Sequence, residues 1–134
     1  MGRVFVLAAL CLPGIAFAQA SPPVESWAAL ESDEGNAIGW GRTLRLTEAT
    51  GTRQIETSLV RVREGEGPVQ TLKDTTERVY GTQGEFRSIQ HISESAGRKV
   101  RLQAVFGAQG VEISRTASKT THSLSLPYPP GWTG

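Results

Sequence analysis

Short glycine-containing turns divide this chain at regular intervals, and they constrain the fold more than any other feature. They occupy residues 33–36, 49–52, 64–68, 81–84, 96–98 and 107–110. Glycine readily adopts the positive φ angles that tight hairpins need. The segments between these turns are rich in Val, Ile, Leu, Thr and Arg and contain no proline, which is typical of β-strands.

Alternation of apolar and polar side chains supports the strand prediction. In residues 38–47 the large apolar side chains occupy even positions, and Val100, Leu102 and Phe106 alternate with other residues in the same way. No window after the first 20 residues sustains the three- and four-residue apolar spacing of a helix. The predicted strands are Glu25–Ser32, Ile38–Glu48, Gln54–Arg63, Val69–Tyr80, Glu85–Glu94, Lys99–Phe106, Val111–Ser118 and Thr121–Leu126. We therefore predict an all-β fold, an antiparallel meander of about eight long strands that forms a curved sheet or half-barrel.

Two local details follow from the same pattern. A three-residue loop over 96–98, with Gly97 in or near the left-handed conformation, would place Ile92 opposite Leu102. Between Leu59 and Val60 the apolar side chains change parity, and a β-bulge there would restore a single apolar face.

Such a sheet is expected to have one apolar face and one face of Arg, Glu, Thr and Ser. The candidate apolar binding residues on it are Trp40, Leu44, Leu46, Leu102 and Phe106. A helix usually covers such a face, and no helical segment is predicted here. Either the sheet closes on itself, or a group from outside this chain covers it.

The first 20 residues have the three parts of a secretory signal peptide. Arg3 gives a positive start, an apolar run continues to Phe17, and small residues allow cleavage after Ala18 or Ala20. Pro13 and Gly14 interrupt the run, which is too short for a spanning helix, so we expect no stable membrane span after cleavage. The product is then periplasmic or secreted.

Cleavage changes the chemistry that the chain can perform. The single cysteine lies in the removed segment, so the mature chain has no disulfide and no thiol nucleophile. Loss of Arg3 reduces the 14 basic residues to 13, equal to the 13 acidic ones. A net charge near zero excludes charge-driven binding to nucleic acid.

No motif for catalysis, a cofactor or a metal is present in the sequence. His91 and His122 are interpreted as surface strand residues, because a metal site needs several convergent ligands. Glu64, Glu66 and Asp74 were considered as an acid pair, but the two glutamates lie in a glycine-rich turn where charges keep loops soluble. We therefore predict a non-enzymatic chain that uses no cofactor or metal.

The predicted organisation is a signal peptide over residues 1–20, a β-domain over 21–126 and a Pro-rich, linker-like tail over 127–134. Trp27, the turn at 33–36 and the segment Ile38-Gly39-Trp40-Gly41-Arg42-Thr43 resemble the opening of a β-rich region. That region precedes transglutaminase-like domains in some exported bacterial proteins. The closing segment, Leu126 to Gly131, is similar as well.

The resemblance implies a non-catalytic domain, because the catalytic Cys, His and Asp of that family belong to a later domain. The predicted architecture is also similar to the half-barrels of periplasmic lipoprotein carriers. Two functions follow as expectations. One is a scaffold or interaction module, whose partner is a C-terminal domain absent from this chain or another periplasmic protein. The other is a carrier or sensor of an apolar ligand, such as a lipid or a lipoprotein acyl chain.

Overall fold

The computed structural model describes residues 21–63 and 65–132, which form one antiparallel sheet of eight strands. The strands are β1 Val24–Glu31, β2 Ala37–Glu48, β3 Gly51–Val62, β4 Gln70–Tyr80, β5 Phe86–Ser95, β6 Arg98–Phe106, β7 Gly110–Ala117 and β8 Thr120–Pro127. Strand order in the sheet follows chain order, and no helix is present in the described ranges. The predicted all-β antiparallel meander is therefore confirmed.

Several residues named in the sequence predictions lie outside the described ranges. The signal peptide, with Ala18 and Ala20, lies outside the described residues, and so does Glu64. Residues 133 and 134 at the end of the predicted tail also lie outside them.

The hairpin between β5 and β6 has a two-residue loop, which corrects the predicted three-residue one. Ser95 pairs with Arg98, and the intervening Ala96 and Gly97 have φ angles of 47° and 77°. Positive φ at both positions defines a type I′ turn, whose twist matches that of the flanking strands. Gly97 is left-handed as predicted, but the register moves by one residue, so Leu102 faces His91 instead of Ile92.

Strand β3 runs past Leu59 and Val60 without a bulge, contrary to the sequence prediction. Leu59 pairs with Trp40 of β2, and Val60 pairs with the adjacent Gly39, in unbroken register. The register shifts in this sheet occur at Leu30/Glu31 and Val79/Tyr80 instead. The change of apolar parity in β3 therefore has another cause.

That cause is a change in which side of the sheet is apolar. Successive strand residues point to opposite sides, and directly paired residues share a side. We call the side that carries Trp27 and Trp40 the tryptophan face, and the side that carries Phe86 and Phe106 the phenylalanine face. The tryptophan face carries Trp27, Trp40, Leu44, Leu46, Ile55 and Leu59 of β1–β3, whereas Val60 and Val62 at the end of β3 and most large apolar side chains of β5–β8 lie on the phenylalanine face. The expected single apolar face is thus replaced by two apolar areas on opposite sides.

The sheet forms a single layer. Between β1 and β8 each strand contacts its neighbours in the chain, and no hydrophobic side chain among the described residues is buried. Among the exposed large side chains, Trp27 has 61% of its surface exposed and Leu124 has 57%. Side chains that would form the core of a two-layer domain are therefore exposed or only half-buried.

The described part of the tail is attached to the sheet. Tyr128 donates its backbone N–H to the carbonyl oxygen of Gln109 at 3.0 Å and its hydroxyl to that of Gly107 at 3.0 Å. A turn follows, in which the N–H of Trp132 bonds to the carbonyl of Pro129. These bonds hold the chain after β8 against the loop between β6 and β7.

Candidate functional site: two apolar patches on opposite faces

The first apolar patch covers the tryptophan face of β1–β3. Its members are Trp27, Ala29, Trp40, Leu44, Leu46, Ile55 and Leu59, and we call it the tryptophan patch. The ring centroids of Trp27 and Trp40 lie 5.2 Å apart, with the planes tilted by 52°. The guanidinium of Arg42 lies 5.5 Å from the centroid of Trp27 and also pairs with Glu25. Arg42 lies between Trp40 and Leu44 on this face, so the cation and its carboxylate interrupt the patch from within.

The second patch covers the phenylalanine face of the C-terminal strands. Its members are Tyr80, Phe86, Ile89, Val100, Leu102, Ala104, Phe106, Val111, Ile113, Leu124 and Leu126, and we call it the phenylalanine patch. Phe86 lies between Tyr80 and Phe106, with centroid distances of 5.2 Å and 4.9 Å. Both pairs have the edge-to-face geometry that aromatic rings prefer. The row of three rings lies at one end of this patch.

The sequence-predicted binding residues do not form one surface. Trp40, Leu44 and Leu46 lie in the tryptophan patch, whereas Leu102 and Phe106 lie in the phenylalanine patch on the other side of the sheet. Strand register, which periodicity alone does not determine, sets this division. A ligand that contacts one group cannot contact the other through the sheet.

Ion pairs between β3 and β4 separate the two patches. On the tryptophan face Arg53 bonds to Glu77 at 2.7 Å, and on the phenylalanine face Arg78 bonds to Glu56 at 2.7 Å. The hydrogen bond with Glu77 raises the pKa of Arg53 above its ordinary value. The hydrogen bond from Arg78 lowers the pKa of Glu56 below its ordinary value. The central strands are therefore charged on both sides, where the sheet changes its apolar side.

A polar cluster lies beside these ion pairs on the phenylalanine face. The Thr76 hydroxyl and His91 Nδ1 are 2.9 Å apart, and His91 Nε2 is 3.5 Å from Asp74 Oδ1. A depression of about 330 Å³ next to it is lined in part by Ser26, Thr76 and Asp74. The sequence alone predicts His91 to be a surface strand residue. The signal it lacked was the β4–β5 register, which places Thr76 directly opposite His91.

This cluster has the residue types of a hydroxyl–imidazole–carboxylate triad without the setting that acyl transfer needs. The side chains of His91 and Asp74 are 40% and 43% exposed, so water screens the charges. Strands β4 and β5 are interior, and their backbone N–H groups serve the sheet ladders instead of an oxyanion. The arrangement suits an ordinary polar surface.

The described part of the chain contains neither a metal-binding cluster nor a membrane-spanning helix. Within residues 21–63 and 65–132, no three His, Cys, Asp or Glu side chains converge as metal ligands would. The same part of the chain contains no helix of sufficient length and apolarity to cross a membrane. The two apolar patches therefore remain the main candidate sites.

Comparisons with known proteins add no relative: no family model, no curated protein and no solved structure matches this chain.

Proposed function

We propose that this chain is an exported, non-catalytic β-domain that acts as a scaffold or interaction module. The proposal depends on one observation, the presence of exposed apolar patches on opposite sides of a single sheet. Curling the sheet in one direction would enclose one patch and leave the other on the outside. Patches of this kind mark surfaces that other molecules cover. Two separate protein surfaces, one against each patch, would cover both patches.

The proposed partners are a C-terminal domain absent from this chain or another periplasmic protein. The resemblance of the β1–β2 hairpin to the region before transglutaminase-like domains supports the first. The three-part export signal in the sequence supports a periplasmic or secreted location for both.

Site-specific photo-crosslinking in the species that encodes the chain tests this function. Leu102 of the phenylalanine patch and Leu44 of the tryptophan patch would each be replaced by benzoylphenylalanine in the full-length chain. We expect protein adducts at both positions. The matched controls are the adjacent Gln103 and Thr43, which face the opposite, polar sides and should give weaker adducts.

The outcomes separate the proposal from its alternatives. Adducts to a protein at Leu102 or Leu44, with weak adducts at the controls, would support the interaction module. Adducts to lipid alone would contradict it, and equal yields at the apolar and control positions would also do so.

A second candidate function is the transport or sensing of an apolar ligand, and the aromatic row favours it. Tyr80, Phe86 and Phe106 form a continuous apolar strip at one end of the phenylalanine patch. A lipid acyl chain could lie along this strip, because apolar sites lined by aromatic rings are common in ligand-binding proteins. Native mass spectrometry of the exported chain would detect a co-purified lipid. Replacement of Phe86 by Ser should release it, whereas a ligand-free wild-type chain would contradict this function.

A further inference from the structure

Strand β8 is an edge of the sheet without the usual protection. Its hydrogen-bonded neighbour is β7, and all eight of its residues, Thr120–Pro127, are exposed. It carries no Asp, Glu, Lys or Arg. An edge strand presents unpaired N–H and C=O groups, and charged residues or bulges normally prevent another strand from adding to it. Strand β8 has neither device over residues 120–126, and Pro127, which has no N–H to donate, is confined to its last position.

The opposite edge is protected. Strand β1 carries Glu25 and Glu31, and its pairing with β2 is irregular between Leu30 and Glu31. Two copies that paired antiparallel through β1 about a two-fold axis at Ala28 would place Glu25 opposite Glu31 of the partner subunit, and like charges directly opposite are destabilising. The chain after β8 also leaves the outer edge, since Tyr128 bonds towards Gln109 and Gly107 on the β7 side. The two edges of the sheet are therefore not equivalent.

We propose that β8 pairs with β8 of a second copy of this chain, antiparallel and about a two-fold axis at Leu124. In this register Leu124 faces Leu124 of the partner subunit, and Ser123 faces Ser125 of the partner subunit. Residues 121–127 of both strands then overlap, with no like charges opposed. A two-fold interface requires such a self-complementary pattern.

The pairing also has an effect on the faces. Leu124 and Leu126 belong to the phenylalanine patch, so the patches of the two copies join into one apolar band across the axis. The serines form a polar ladder on the other side. This inference goes beyond the proposed function, because it concerns the edge of the sheet, whereas the proposed partners cover its faces.

Charge placed on the edge tests the pairing and its register. In Ser123→Lys/Ser125→Lys, each lysine would face a lysine of the partner subunit, and like charges directly opposite are destabilising. In Ser123→Glu/Ser125→Lys, each glutamate would face a lysine. Ser114→Lys is the matched control, because Ser114 pairs with Ser123 on the same face but lies one strand inside the edge.

Sedimentation velocity and native mass spectrometry of the full-length exported product would give the outcome. We expect dimers for the wild type, Ser114→Lys and Ser123→Glu/Ser125→Lys, and at least a tenfold weaker dimer for Ser123→Lys/Ser125→Lys. A wild type that stays monomeric up to about 100 µM would overturn the proposal. Equal dimerisation of the two double variants would overturn it too.

Disulfide trapping provides a measurement that does not depend on charge. Leu124 lies on the proposed axis, and opposed Cα atoms in an antiparallel pair lie about 4.5–5.5 Å apart, within disulfide range. In a Cys11→Ser background, Leu124→Cys should oxidise to a covalent dimer. Ile113→Cys, on the same face of β7, should not. Equal cross-linking of the two would contradict the edge-to-edge arrangement.

Discussion

Gly39 and Gly41 lie two residues apart on β2 and point to the same side of the sheet, yet only one of them has room for a side chain. A Cβ at Gly39 would overlap the carbonyl oxygen of Leu59 on β3, whereas a Cβ at Gly41 would meet nothing within 4 Å. Backbone atoms of β3 cannot move aside without disturbing the β2–β3 ladder. Gly39 is therefore required by close strand packing, while Gly41 is not.

We predict that Gly39→Ala destabilises the sheet by about 1–3 kcal/mol, since over-packing forces backbone shifts. Gly41→Ala should be neutral or slightly stabilising, because alanine restricts the unfolded chain more than glycine does. Urea denaturation followed by circular dichroism would measure both. Equal destabilisation by the two substitutions would show that the contact with Leu59 is not the cause.

The ion pair between Glu56 and Arg78 gives the sheet a pH-dependent contribution to stability. The pKa of Glu56 is lowered in the folded chain, first by its hydrogen bond from Arg78 and then by one from Gln54. A lowered folded-state pKa means that the stabilisation is present above the ordinary value of 4.5 and is lost as pH falls through the folded value. Both side chains are partly exposed, so the effect is below about 1 kcal/mol.

We predict that Glu56→Gln is less stable than wild type at pH 7, and that the difference shrinks as pH falls below 4.5. Urea midpoints measured from pH 7 to acid would test this. Glu112→Gln, which also removes one carboxylate, is the control for a general effect of charge. A Glu56→Gln difference that stays constant with pH would contradict the assignment.

The β5–β6 and β7–β8 hairpins use type I′-like turns, but their turn residues are not the ones that this turn type prefers. Ala96 has a φ of 47°, and Ser118 and Lys119, which join β7 to β8, have φ angles of 48° and 69°. Non-glycine residues in the left-handed region cost about 1–2 kcal/mol. Asn and Gly tolerate it better, and Asn-Gly is the preferred pair for this turn.

We therefore predict that Ala96→Asn and Lys119→Gly each stabilise the sheet by about 0.5–1 kcal/mol. The two turns join different pairs of strands but line one depression at the same end of the sheet, so the double variant measures the coupling between them. Thermal and urea unfolding would measure this. Gly97→Ala, at a φ of 77°, should have the opposite sign. Stabilisation by Gly97→Ala would show that the turn is not of this type.

The same hairpin shows how far sequence could predict these elements. Alternation and turn residues were sufficient to predict eight strands and their order, because both are local properties of the chain. Loop length could not be predicted from these local properties, because the turn at 96–97 differs from a three-residue loop only in whether Arg98 pairs with Ser95. A one-residue error reverses which side chains share a side, so Leu102 was matched to Ile92 instead of His91.

The candidate site was only partly predicted, again because strand register decides which side chains share a side of the sheet. The five apolar residues proposed from sequence do lie on strands, with Leu102 exposed and the other four half-buried, but they do not share the single apolar face that was expected. The parity change at Leu59 and Val60 was the visible signal for two faces, and it was interpreted as a bulge. Only the pairing of β3 with both β2 and β4 distinguishes these explanations, because it places Leu59 opposite Trp40 on one face and Val60 opposite Leu72 on the other.

At the scale of the whole molecule, the change of apolar side is a property that no single strand carries. Each half of the sheet alternates normally, and each would resemble an ordinary half-buried sheet if seen alone. Together they place apolar side chains on two opposite sides, with the Arg53–Glu77 and Arg78–Glu56 pairs between them. Each half of the sheet thus has one apolar side and one polar side, and the apolar sides of the two halves face opposite directions.

The strand order also determines how this molecule resists unfolding. Substantial contacts join only strands that are consecutive in the chain, as in a row of repeats in which each unit touches its two neighbours. In such a row, stability is approximately a sum of nearest-neighbour terms, and loss of structure spreads inward from the ends. A molecule bound at β1 or β8 would therefore act as a terminal cap, slowing fraying throughout the sheet without contacting its centre.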